Sequence, residues 1–163
     1  MLKLALFAIG AFALDRIVKM WVLANFTLGE VRPFIPGLVQ FRYTRNTGMA
    51  FSFLADHQWV FLIFVPLVLI GLGIALKKGA FPCPWQQLGL IAAMTGGLGN
   101  WVDRILYGSV VDMFEFTFVR FAIFNVADIF ITCGAILFFV AYLIGEHRKK
   151  DQATEVTEET PSE

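Results

Sequence analysis

Two aspartates, Asp112 and Asp128, stand where an otherwise apolar chain turns polar, and they are the residues best placed to do chemistry. Two carboxylates held close together cannot easily both ionise: one proton is shared and the two titrations move apart. The ionised member takes a proton from a water molecule as that water attacks a carbonyl. The protonated member hydrogen-bonds the carbonyl oxygen and helps protonate the leaving nitrogen. Residue order does not say which of the two holds the proton, so they are treated as one titrating unit. This chemistry needs no metal and no organic cofactor.

Other nucleophiles are poorly supported. Ser52 and Ser109 lack a Gly-x-Ser-x-Gly setting or a neighbouring histidine base, and Lys19 is the one conceivable alternative base. Cys83 lies in Phe81-Pro82-Cys83-Pro84 and Cys133 in an apolar run. Neither belongs to a CxxC pair, and both read as structural or incidental. With His57 and His147 the only histidines, a zinc site is poorly supplied. The net charge is zero, which removes the global basic signal of nucleic-acid binding.

Around the aspartates lie further polar residues in apolar surroundings. Asp15 and Lys19, with Arg16 between them, are spaced i, i+4 with the acid first, the favourable order for an ion pair. The run Thr95 to Arg104 carries Gly96 and Asn100 on one helix face, followed by Asp103 and Arg104. Glycines there let a second backbone approach closely. Asn46 and Gly48 belong to a loop, Asn46-Thr47-Gly48-Met49-Ala50-Phe51, and Gly108 to a short turn before Asp112. Each also has a plainer reading. Asp15 and Lys19 make a structural pair, and Asn100, Asp103 and Arg104 a clasp between helices. Asn125 is a helix N-cap with Asp128 at the third helical position, and Asp112 is a loop carboxylate. Gly48 and Gly108 suit turns or close backbone approach.

The elements that must position these groups are membrane helices. Of 163 residues 58% are apolar and 16% charged, against about half and a quarter in soluble domains. Mean hydropathy is +0.70. Four segments are long and apolar enough to span about 30 Å of hydrocarbon: Leu2 to Asn25, Trp59 to Leu76, Gln86 to Leu106 and Asn125 to Gly145. The first resembles a secretory leader, but it lacks a small-x-small cleavage site and continues through Asp15, Arg16 and Lys19, so it reads as a retained helix. Residues 1–150 form one domain. Residues 151–163 are acidic, without aromatics, and read as a disordered cytoplasmic tail. Lys77-Lys78 and Arg148-Lys149-Lys150 close the second and fourth spans and place both termini in the cytoplasm. Arg32, Arg42 and Arg45 argue the other way, but from a loop that looks folded.

Two outer connections alternate apolar and polar residues: Val39 to Arg45 and Phe114 to Phe118. They read as strands with one apolar face, forming a small sheet on the membrane surface that meets lipid or a lipid-like substrate, or else as two extended loops. In the N-in, C-in topology, Asp15 and Lys19, Asn100 to Arg104, the long loop, Asn125 and Asp128 all converge on the outer membrane interface. Charge at a helix centre costs roughly 2.5 to 3.5 kcal/mol, so such convergence signals function. The main rival is a small proton-coupled transporter or channel, but the polar groups stay in one leaflet and the second span has no charge. A presenilin-like protease would need a Gly-x-Gly-Asp string, which does not occur. A purely structural subunit would need no paired aspartates.

With these motifs in this order, the chain resembles the bacterial lipoprotein signal peptidase (signal peptidase II) family through about Gly145. The motifs are Asp15 with Lys19, Asn46 to Phe51, Gly96 through Asn100 to Asp103-Arg104, Gly108 to Asp112, and Phe124 to Asp128. The resemblance implies an α-helical integral membrane protein with four transmembrane helices and a small extracytoplasmic β-sheet cradle, in the bacterial inner membrane. It implies an aspartic endopeptidase that cuts prolipoproteins just before a diacylglyceryl-modified cysteine, and binding of the cyclic peptide globomycin. The catalytic aspartates carry over to Asp112 and Asp128. The other motif residues match Asp15, Lys19, Asn46, Gly48, Gly96, Asn100, Asp103, Arg104, Gly108, Val110, Asn125 and Ala127.

Overall fold

Long apolar stretches rich in Leu and Ala make the long helices of this chain, described here from a computed structural model for residues 2–48 and 58–158. The order is α1 (Leu2–Asn25), β1 (Val31–Ile35), β2 (Val39–Asn46), α2 (Gln58–Lys77), α3 (Pro84–Tyr107), β3 (Val110–Phe116) and α4 (Val126–Glu158). The protein is mostly helical with one small sheet. The loop residues Met49 to Phe51, together with Ser52 and His57, lie outside the described residues.

α3 starts with Pro84 inside its first turn, where a missing N–H costs nothing. It ends at Gly108, whose left-handed φ of 64° lets its N–H reach the Arg104 carbonyl at 3.0 Å. α3 and α4 approach so closely that the contact is glycine on glycine. A Cβ at Gly89 would lie 2.6 Å from the Gly134 carbonyl oxygen, and one at Gly96 would collide with the Ala127 carbonyl. Dispersion between touching backbones holds this seam, as at small-residue interfaces in membranes.

α2 is different. It contains Pro66, which has no N–H for the Leu62 carbonyl one turn back. The Trp101 indole N–H from α3 takes up that oxygen at 3.2 Å, so a neighbouring helix repairs the gap. Most of the rest of α2 is exposed.

The sheet is antiparallel in the order β1-β2-β3, with Phe41 opposite Phe114 and Gln40 opposite Glu115. The expected pairing of two alternating strands is present, with three changes. A bulge between Phe41 and Thr44 breaks the alternation of β2. β3 begins at Val110 and ends at Phe116, so Asp112 sits on a strand. β1 is an additional edge strand containing Pro33. Under the sheet, Val22 of α1 and Phe26 just after it pack on Tyr43, Val111 and Met113.

α4 runs on to Glu158, so residues 151–158, expected to be disordered, are helical. A helix nucleated by an apolar span propagates at little cost through Gln152, Ala153 and Glu155, all good helix formers. By length and composition, Trp59–Lys77 and Val126–His147 are able to cross a membrane. α1 and α3 are 24 residues each, but Asp15, Arg16, Lys19, Asp103 and Arg104 lower their apolarity.

Candidate active site

β3 delivers Asp112 and the first turn of α4 delivers Asp128 to one groove of about 630 Å³. α2 closes the groove with Phe61 and Val65, α3 with Asn100 and Arg104, and the segment after β3 with Phe121 and Phe124. The capping reading of Asn125 and Asp128 is seen directly. Its N–H donates to Asn125 Oδ1 at 3.0 Å, and the Asn125 N–H donates to Asp128 Oδ2 at 3.0 Å. This reciprocal cap leaves the carboxylate fixed and facing the groove.

Amide donors hold both aspartates. Asn100 Nδ2 donates to Asp128 Oδ1 at 2.8 Å. Asn125 Nδ2 donates to Asp112 Oδ1 at 2.6 Å, and Asn46 Nδ2 to Asp112 Oδ2 at 3.0 Å. Burial, reinforced by the charge of Asp128, pushes the Asp112 carboxyl up to about 7, against the opposing pull of the two asparagines and Lys19. Among the described acids of the strands and loops, Asp112 is thus suited to hold a proton near neutrality. Glu30, half-buried beside Thr27 and Arg32, is shifted down by its hydrogen bonds.

Behind the aspartates lies a buried charge cluster. Lys19, fully buried, is 2.9 Å from both Asp15 Oδ2 and Asp103 Oδ2, and it donates to Asn100 Oδ1 at 2.9 Å. Asp15 Oδ1 accepts the Ala127 N–H at 2.9 Å and Asp103 Oδ2 the Val111 N–H at 3.2 Å. The cluster therefore ties the backbone next to each aspartate to α1 and α3. Breaking such a buried network from one side is costly, because it strands a charge.

Arg104 links the groove to the loop after β2. It donates to the Gly48 carbonyl at 2.8 Å and the Asn100 carbonyl at 3.2 Å, and its guanidinium lies 4.6 Å from the centre of the Phe61 ring. The Gly48 N–H donates to Asn46 Oδ1 at 2.9 Å. Val110, almost fully buried, starts β3 beside the groove. Gly96 sits in the α3–α4 seam and Gly108 caps α3, both away from the carboxylates.

Of the fourteen residues singled out in the sequence, Asn46, Gly48, Asn100, Arg104, Val110, Asp112 and Asp128 line the groove, Asp15, Lys19, Asp103, Asn125 and Ala127 bond to these or to their neighbours, and Gly96 and Gly108 shape α3. Three participants were missed. Arg16 pairs with Asp103, and its charge in an apolar helix was a usable signal. A Cβ at Gly99 would lie 2.7 Å from Asp15 Oδ2, so that glycine makes room for the buried acid; its place in Gly96-Gly97-Leu98-Gly99 hinted at this. Phe61 gave no signal, being one apolar residue among many.

The chain is similar to known proteins along most of its length. The family model described as Signal peptidase (SPase) II matches residues 7–144. Lipoprotein signal peptidases of Streptococcus pyogenes serotype M1 and serotype M5 (strain Manfredo) are each 46% identical over 129 residues, covering 78% of this chain and 84% of the relative. Two solved structures, both described as a bacterial membrane enzyme, superpose with TM-scores of 0.83 and 0.81 at 27% and 30% identity. They cover 100% and 88% of this chain, and 94% of each structure is matched.

Proposed function

The chain belongs to the signal peptidase II family, a family of bacterial membrane proteases, and from that premise we propose that it is an aspartic endopeptidase acting on diacylglyceryl-modified prolipoproteins. Asp112 and Asp128 activate and orient the water that cuts the peptide bond just before the lipidated cysteine. One carboxylate takes the proton of the attacking water. The other, as the acid, hydrogen-bonds the scissile carbonyl and passes its proton to the leaving nitrogen.

The observation that carries this reading is the joint delivery of two amide-held aspartates, from β3 and from the start of α4, into one largely apolar groove. An apolar signal-peptide helix fits a groove walled by Phe61, Val65 and Ile129, and its scissile carbonyl needs a donor and a base at one end. Arg104, Asn46 and Gly48 stand at that end as contributors to substrate holding. Asp15, Lys19, Asn100, Asp103, Asn125 and Ala127 support the pair, and Gly96, Gly108 and Val110 shape the elements that carry it.

All four helices span the membrane in this reading, with both termini cytoplasmic and the site near the outer leaflet of the bacterial inner membrane. The burial pattern supports it. Asp15, Lys19, Asp103 and Asn125 are buried while Leu6, Ile9, Ile17 and Leu67 are at least 60% exposed, the inside-out arrangement a hydrocarbon solvent favours. Globomycin, an inhibitor of this family, is expected to occupy the same groove.

The test is cleavage of a diacylated prolipoprotein by purified protein, followed by gel shift. Asp112→Asn and Asp128→Asn are each expected to lower turnover by at least about 10²-fold, the scale of general acid–base catalysis, with unchanged expression. Substantial turnover in either variant overturns the pair. Insensitivity of the wild type to globomycin overturns the inhibitor assignment alone.

A further inference from the structure

Each of the three asparagines around the aspartates is held through its oxygen by a donor that cannot accept. Lys19 Nζ donates to Asn100 Oδ1 at 2.9 Å, the Asp128 N–H to Asn125 Oδ1 at 3.0 Å, and the Gly48 N–H to Asn46 Oδ1 at 2.9 Å. An ammonium and a backbone amide have no lone pair to offer. Each carboxamide is therefore locked with its oxygen turned away from the pair and its NH2 turned toward an aspartate. Two of these keys are backbone groups, part of a helix cap and a turn. The third, Lys19, is a side chain reaching in from α1.

The lock matters most at Asp128. This residue receives Asn100 Nδ2 on one oxygen and the Asn125 N–H on the other, at the N-terminus of α4, where the helix dipole favours negative charge. Asp112 also receives two amide donors, but on a strand with no such dipole. If the Asn100 carboxamide turned over, its oxygen would face Asp128 Oδ1, and an acceptor against a carboxylate oxygen favours a proton there. The other donor to Asn100 Oδ1 is Asn125 Nδ2 at 3.1 Å. Its second N–H goes to Asp112 at 2.6 Å, and its bond to Asn100 is longer than that of Lys19.

We propose that Lys19 is a positioning residue that fixes the Asn100 carboxamide and so keeps Asp128 the ionised member of the pair and Asp112 the proton carrier. This rests on the two aspartates being the catalytic pair. The charged groups around them are Lys19 and Asp15 from α1, and Asp103 and Arg104 from α3. Of these, Lys19 alone also bonds the amide that faces Asp128.

Two variants test this by kcat and KM measured across pH on a synthetic diacylated lipopeptide. Lys19→Met with Asp15→Asn removes one charge of each sign and leaves the net charge of the cluster unchanged. Asn100→Asp keeps an oxygen toward Lys19 but replaces the donating NH2 with an acceptor facing Asp128. Each is expected to move the acidic limb of kcat upward by about one pH unit, the scale of one neighbouring interaction on a carboxylate, with KM little changed. Combining them should move the limb no further than either alone, since both act through the same amide. A uniform loss of kcat at every pH with an unmoved limb, or additive shifts, overturns the role of Lys19. If the Lys19 variant fails to fold, an unmoved limb in Asn100→Asp overturns it instead. Inactive Asp112→Asn and Asp128→Asn with an unmoved limb sinks this inference and spares the catalytic pair; turnover in either aspartate variant sinks the pair itself.

Discussion

The two sides of α3 are built on opposite principles. Toward α4 and α1 it presents Gly89, Gly96, Gly99, Asn100 and Asp103 and is locked by touching backbones and buried charge. Toward α2 it presents Gly97, Trp101 and Arg104, and what joins them is ordinary apolar contact, the indole bond to Leu62 and the Arg104 guanidinium over the Phe61 ring. The aspartates hang from the locked side, and the groove opens between it and α2. On the proposed function, a water-activating pair needs fixed geometry, whereas a wall that receives apolar helices of varied sequence needs tolerance. The division of α3 into a rigid and a forgiving face meets both needs.

Adjacent glycines offer the harshest way to break that comparison. A Cβ at Gly96 meets the Ala127 carbonyl and lies 2.8 Å from Ile131 Cγ1, while one at Gly97 finds Leu69 Cδ2 at 3.8 Å, an ordinary contact. Gly96→Ala is expected to destabilise the protein by about 3 kcal/mol or more, as overpacking against backbone does. It should also displace the start of α4 with Asp128. Gly97→Ala should be neutral or slightly stabilising, because alanine favours helix by about 0.5 to 1 kcal/mol. Thermal melts in detergent with parallel cleavage assays measure both. Equal effects at the two positions would mean that the faces of α3 do not differ.

The polar half of this design is legible in the sequence, and the apolar half is not. Asp15, Lys19, Asn100, Asp103 and Asn125 stand out because a charge or amide in an apolar helix demands a partner, and the structure supplies each. Helix limits were readable for the same reason, since long apolar runs have few alternatives; the exception is α4, which runs past Gly145 to Glu158 where the apolar run has ended. β3 was not readable as it stands. Val110, Val111, Asp112 and Met113 are all buried, so the strand lacks the alternation that marks a half-exposed one. β1 lacks it as well, exposed on both faces and containing Pro33. Phe61 and Val65 became groove walls through packing alone, and in an apolar helix no residue type announces which face will be left uncovered.

A milder test of the rigid face is its proton. Asp112 is raised from the ordinary carboxylate range to about 7, so it is protonated below neutrality and loses its proton as pH rises through that value. With Asp112 as the acid, kcat/KM should fall on the alkaline side with a midpoint near 7, by about tenfold per pH unit beyond it. The same shift has a stability consequence. A carboxyl that is easier to protonate when folded stabilises the fold fully below its unfolded value of 3.8, and this contribution is lost as pH rises through about 7. Asp112→Asn, uncharged at every pH, should therefore melt higher than the wild type at pH 8, and the gap should narrow toward pH 4. A gap independent of pH would detach the stability effect from this proton.

The smallest effect belongs to the forgiving face, and it tests whether the indole bond matters because of the proline. Trp101→Phe removes the N–H that satisfies the Leu62 carbonyl, a loss of about 1 kcal/mol for one hydrogen bond. Because α2 is otherwise held by apolar contact and by Phe61 against the Arg104 guanidinium, the groove should widen, KM should rise modestly and kcat should hold. Pro66→Ala restores a backbone N–H one turn ahead of Leu62, so the carbonyl gains a partner within its own helix. In that background Trp101→Phe should cost much less than it does in the wild type, and a double-mutant cycle reads the difference directly. An unchanged cost would mean that Trp101 holds α2 by the bulk of its ring. The tolerance of that wall would then be a matter of packing, with no share owed to the orphaned carbonyl.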